Sequence, residues 1–90
     1  MSAEPIDSRR KRLIHRSLYT GMKETDLLLG AFARAHVGVF DVPQLDRYEQ
    51  LLAAPDPEIY AWAIEQSPVP SEHDNDVMLL LRHFTRAYRP

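Results

Sequence analysis

Apolar residues recur along this chain at the three-to-four-residue spacing of a helix, in stretches separated by proline and glycine. In the first stretch, about 8–19, Ile14 and Leu18 lie one turn apart, with Arg9, Arg10, Lys11, Arg12 and Arg16 on the remaining surface. Gly21 is expected to close this helix, because glycine accepts the left-handed conformation found at helix ends. A second helix is predicted over about 22–36. Leu28, Phe32 and Ala35 share one face and Leu27 and Ala31 the adjacent one, an apolar arc wide enough for a central position. The third, about 41–53, has Asp41 as N-cap, Pro43 in its first turn, and Leu45, Tyr48 and Leu52 at helical spacing. In Pro55-Asp56-Pro57, Asp56 can cap and Pro57 can take the first position of a short helix carrying Ile59, Trp62 and Ala63. After Pro68 and Pro70, residues 71–74 resemble a capping box with aspartate for the usual glutamate. Val77, Leu80, Leu81, Phe84 and Tyr88 then form the clearest amphipathic stripe.

Five helices and short connections predict an all-α, small five-helix bundle. Residues 8–88 are expected to form its single domain, with 1–7 a flexible N-terminus and 89–90 the C-terminal end. Leu28, Phe32, Leu52, Trp62, Leu81 and Phe84 are its expected core. The 44% hydrophobic content supports such a core. With no cysteine, neither a disulfide nor a thiolate metal site can staple it.

Charge modifies this picture. The net charge is −2, yet residues 1–30 carry six Lys/Arg against four acids and 31–81 carry two against nine. A basic region beside an acidic middle can orient a protein partner. No apolar run approaches the ~20 residues a membrane span needs, so no membrane insertion is expected. Glu4 and Asp7 break up what could be a basic presequence around 9–12, and no apolar signal core precedes a cleavage site. These features lead to the expectation of a bacterial, cytoplasmic protein.

Catalytic chemistry is not evident. His15, His36, His73 and His83 form no i, i+3 or i, i+4 pair, suit surface or boundary positions, and complete no metal-ligand pattern. There is no glycine-rich phosphate loop, and Ser17, Ser67 and Ser71 lack the partners of a nucleophile. The expectation is a binding protein, not an enzyme, with no tightly held cofactor or metal. The basic run Arg9-Arg10-Lys11-Arg12 keeps a small helical DNA-binding regulator as an alternative, although an apolar second helix and an acidic total charge oppose nucleic acid as partner. An unrelated protein-interaction module is a second alternative.

The segment Tyr19-Thr20-Gly21-Met22-Lys23-Glu24-Thr25-Asp26 sets mixed charges on a turn beside a basic helix. Here the chain resembles the succinate dehydrogenase assembly factors, the SdhE-type flavinylation factors, whose signature is Arg-Gly-x-x-Glu after a basic first helix. The matching residues are Thr20-Gly21-Met22-Lys23-Glu24, followed by Asp26-Leu27-Leu28-Leu29. Arg10-Lys11-Arg12-Leu13 with Arg16-Ser17, Tyr48-Glu49-Gln50-Leu51-Leu52, Asp56-Pro57 with Ile59-Tyr60-Ala61-Trp62, and Asn75-Asp76-Val77-Met78 follow the family in order and spacing. The resemblance covers about 8–88. It implies a five-helix protein that binds the flavoprotein subunit of succinate dehydrogenase, or of fumarate reductase, and promotes covalent attachment of FAD to it; the chain itself is expected to be a monomer. It also implies Gly21, Met22, Lys23, Glu24 and Asp26 as partner-binding residues. The family's arginine falls at Thr20, which lacks a guanidinium's charge. Arg16, one turn earlier if the first helix reaches about Tyr19, is expected to supply part of that charge, with Lys23 as a lesser substitute. The Thr20 hydroxyl is expected to cap the second helix.

Overall fold

In the computed structural model, which describes residues 4–88, five α-helices follow one another: α1 (Ile6–Ser17), α2 (Lys23–His36), α3 (Val42–Leu52), α4 (Asp56–Ala63) and α5 (Asp76–Tyr88). Short 3-10 turns at Val37–Val39 and Ser71–His73 join α2 to α3 and lead into α5. No strand occurs among the described residues, and the expected all-α bundle is what forms. Of the segment 1–7 expected to be flexible, residues 1–3 lie outside the described residues, as do 89–90, whereas Ile6 and Asp7 are helical.

Several boundaries differ from expectation for local reasons. Helix α1 ends at Ser17, where the amides of Leu18 and Tyr19 turn back to the carbonyls of His15 and Arg16. Gly21 therefore does not close α1; its φ of +118° turns the link that follows. The N-cap of α2 is Met22, and the Thr20 hydroxyl does not cap it. At α3, Asp41 and Gln44 exchange side-chain-to-amide hydrogen bonds of 2.9 and 3.1 Å, so the expected N-cap is a full capping box. Asp56 is not a cap either: Pro55 holds that place, and Asp56 and Pro57 occupy the first two helical positions. The box expected at 71–74 is replaced by a 3-10 turn. Asn75 instead accepts the Met78 amide at 3.2 Å as α5 begins.

Helix α2 packs against α1, α4 and α5, as its wide apolar arc suggests. Leu28, Leu29, Phe32 and Ala33 are buried. Ala35 and Leu27, expected to share that arc, face solvent, because contact with α1 draws Leu29, Gly30 and Ala33 inward instead. Gly30 allows this approach: a Cβ there would lie 2.6 Å from Leu18 Cδ2. At the centre, the Phe32 ring meets Phe84, Tyr48 and Phe40 at centroid distances of 5.7, 5.8 and 6.2 Å. Leu28, Leu52, Trp62 and Leu81 are buried as expected, while Phe84 is only partly covered. His73 departs from the surface or boundary positions expected for the histidines. It is buried against Trp62, with ring centroids 5.2 Å apart. Tyr48 reaches Ser17 through a buried hydroxyl–hydroxyl hydrogen bond, and burial raises the phenol pKa above its ordinary value.

Candidate partner-binding site

The link between α1 and α2 is drawn into a corner by one carboxylate. Asp26, in the first turns of α2, reaches back over the link, and its Oδ1 accepts both the Thr20 backbone N–H and the Thr20 hydroxyl. The backbone amide of Gly21 also favours the charged form of this carboxylate, as the smallest of the effects on it. These bonds, that from the Thr20 hydroxyl foremost, hold the Asp26 carboxyl below its usual pKa range, since each favours the charged form. The corner also rests on α4. A Cβ on Gly21 would lie 3.0 Å from Asp56 Oδ2, so a positive φ and a close approach coincide at this residue.

Around this corner Met22 is partly buried, while Gly21, Lys23 and Glu24 are exposed. Neither Lys23 nor Glu24 takes part in an ion pair found among the described residues. Thus the structure gathers Gly21, Met22, Lys23 and Glu24 on one surface. Asp26 is engaged with Thr20. Arg16 is exposed, but its guanidinium donates to the Leu52 carbonyl at 3.3 Å, at the C-terminal end of α3. Because α1 stops at Ser17, Thr20 is not one helical turn above Arg16, and the premise of a shared face does not hold.

Sequence reasoning missed the bond from Thr20 to Asp26. The available signal was a Thr-Gly pair with an aspartate two helical residues beyond Glu24, able to accept the amides of a turn folded back on it. It also missed a groove of about 610 Å³ that starts at Glu24 and runs between α2, α4 and α5. Leu27, Leu28, Tyr60, Ile64 and Tyr88 line it together with the polar Gln66 and Thr85.

The basic first helix is tied to α3 instead of forming a free cationic face. Arg9 meets Asp46 and Glu49 at 2.7 and 2.9 Å, and Arg12 meets Glu4 and Glu49 at 3.0 and 3.3 Å. Arg10 pairs with Asp7 at 3.0 Å and donates to the Phe40 carbonyl at 2.8 Å. The network raises the pKa values of Arg9 and Arg12 and, through Arg12 first and then Arg9, lowers that of Glu49. Arginines already neutralised by carboxylates release few counterions from a phosphate backbone, which removes the main ground for the DNA-binding alternative. Among the described residues no three His, Cys, Asp or Glu side chains converge on a possible metal position, and no helix is long and apolar enough to cross a membrane.

A model of the family described as "Flavinator of succinate dehydrogenase" matches residues 11–85, a span containing the corner and the groove-lining residues other than Tyr88. The chain is 40% identical over 85 residues to "Succinate dehydrogenase assembly factor 2-A, mitochondrial" of Drosophila sechellia, covering 92% of this chain and 52% of that protein. It is 40% identical over 78 residues to the corresponding factor 2 of Dictyostelium discoideum, covering 87% and 55% of the two chains. With that of Aedes aegypti it is 40% identical over 89 residues, covering 96% and 55%. The chain thus spans about half the length of the curated relatives it matches. These relatives are eukaryotic and named as mitochondrial, which overturns the expectation of a bacterial, cytoplasmic protein. The physical reason is that a basic stretch interrupted by acids belongs here to the folded helix α1 and its ion pairs, and so carries no information about compartment.

Proposed function

The chain belongs to the family of flavinators of succinate dehydrogenase, and on that premise we propose that it binds the flavoprotein subunit of this enzyme and promotes covalent attachment of FAD there. The supporting observation is the corner itself: the family match runs through it, and the carboxylate of Asp26 braces the turn that presents Lys23 and Glu24 to solvent. A braced corner loses little conformational freedom when a partner docks, so more of the contact energy appears as affinity.

The division of labour follows from the side chains. Bond formation between FAD and the receiving histidine is the chemistry of the flavin and its own protein. This chain contributes binding and orientation: by gripping the flavoprotein as a monomer it favours the arrangement in which flavin and histidine meet in reactive geometry. Glu24 and Lys23 are the contacting charges, Gly21 and Met22 shape the surface between them, and Asp26 acts as a positioning residue. Arg16 supports the neighbouring end of α3 and offers its outer edge to the same partner. The flavoprotein of fumarate reductase is a second partner of the same kind.

A gel read by flavin fluorescence tests this directly. The flavoprotein subunit produced with this chain should carry a fluorescent band that withstands denaturation, and without it a much weaker one. Equal bands would refute the proposed role.

A further inference from the structure

Building on the proposed partner, we propose that the groove between α2, α4 and α5 is a second part of the docking surface, and that it receives a segment of the flavoprotein in which an aliphatic or aromatic side chain lies beside a lysine or arginine. Two features of the groove specify this occupant. Its lining is mostly apolar and open, with Gln66 and Thr85 the polar neutral members: Leu27 is 57% and Tyr88 40% exposed, and Tyr60 and Ile64 are partly covered. A monomer that leaves such side chains together around a concavity offers a place for a partner's apolar residue. The other feature is charge. Glu24 is the only charged residue among those lining the groove, it is exposed, and it has no ion pair among the described residues. A carboxylate at the mouth of an apolar cleft favours a cation beside the inserted side chain and disfavours an acidic segment. The braced corner and the groove meet at Glu24, so one continuous surface would grip the flavoprotein from both sides of that residue.

Leu79 provides an internal control, being 70% exposed on α5 but outside the groove. Binding of the purified succinate dehydrogenase flavoprotein subunit is measured by calorimetry for the full chain and for Leu27→Asn, Leu79→Asn and Glu24→Lys. Because residues 27 and 79 are both exposed, neither substitution should disturb folding, which a melting curve checks. Leu27→Asn should weaken binding about 10-fold, the effect of withholding a half-exposed leucine from burial. Leu79→Asn should leave it within about twofold, and Glu24→Lys should weaken it more at low salt than at high salt. A photoreactive residue at position 27 should capture a flavoprotein peptide containing Lys or Arg. Wild-type binding with Leu27→Asn unimpaired would overturn the groove and leave the proposed function standing. Capture of a second copy of this chain, or of an acidic flavoprotein segment, would also overturn it. No wild-type binding at all would remove both proposals together.

Discussion

One carboxylate, Asp26, converts the link between α1 and α2 into a shaped corner, and this lends the site a definite acid response. Asp26 and Glu49 both have folded-state pKa values below their ordinary ones. Their contributions are therefore fully present above the unfolded values of about 4 and are lost as pH falls through the lower folded values. The melting temperature should be level near neutrality and drop below about pH 4, and a double variant Asp26→Asn, Glu49→Gln should show a shallower drop over the same range. Glu24→Ala should fold normally, since a charge in the first turn of a helix is worth only ~0.3–1 kcal/mol, yet should reduce flavin attachment to the partner. Retention of full flavinylation would exclude Glu24 from the contact. At Gly21, alanine must adopt φ near +118° and bring its Cβ to 3.0 Å from Asp56, so a loss of ~1–3 kcal/mol is expected in denaturant unfolding. Glycine in a turn, with charges beside it, was legible in the sequence. The bond from Thr20 to Asp26 was not, because it spans six residues and exists only once the link has its particular shape. The pairing of Arg16 with Thr20 failed for the same reason: it assumed a helix that in fact ends two residues before Tyr19.

Among the elements, α2 and α5 illustrate what periodicity can and cannot tell. The stripe of α5 was legible, and Val77 and Leu81 are buried as it implies. Its inner edge was not, since how much of Phe84 is covered depends on the distance to α2, and periodicity carries no distances. Phe84 meets Phe32 and stacks on the groove-lining Tyr88, whereas Phe32 is 0% exposed between four aromatic neighbours. Phe32→Ala should therefore cost ~3–5 kcal/mol, close to the whole stability of so small a domain. Phe84→Ala should cost about half as much. Equal losses in urea unfolding would show that α5 is packed more deeply than its exposure indicates. The facing of α2 was ambiguous because Leu27, Leu28 and Leu29 are consecutive, and three adjacent residues on a helix cannot all point inward. Contact with α1 at Gly30 decides which of them does not.

The whole molecule measures about 40 × 26 × 22 Å, with its five helices sharing one core. That number of helices and their order were legible, because proline and glycine separate the amphipathic stretches independently of tertiary contacts, although several of the expected caps are not the ones used. The groove was not, being made by three helices distant in sequence, and neither was the compartment, on which the packing of the bundle places no constraint. Trp62 has a consequence at this scale. It is the chain's single tryptophan, buried against His73 and absent from the walls of the groove that begins at Glu24. The tryptophan emission, excited at wavelengths tyrosine does not absorb, therefore arises from a place the proposed docking surface does not touch. In the free chain its colour and intensity should follow melting of the bundle and be the same for the wild type and for folded variants of the groove, so one optical signal separates a variant that has lost its shape from one that has lost only its grip.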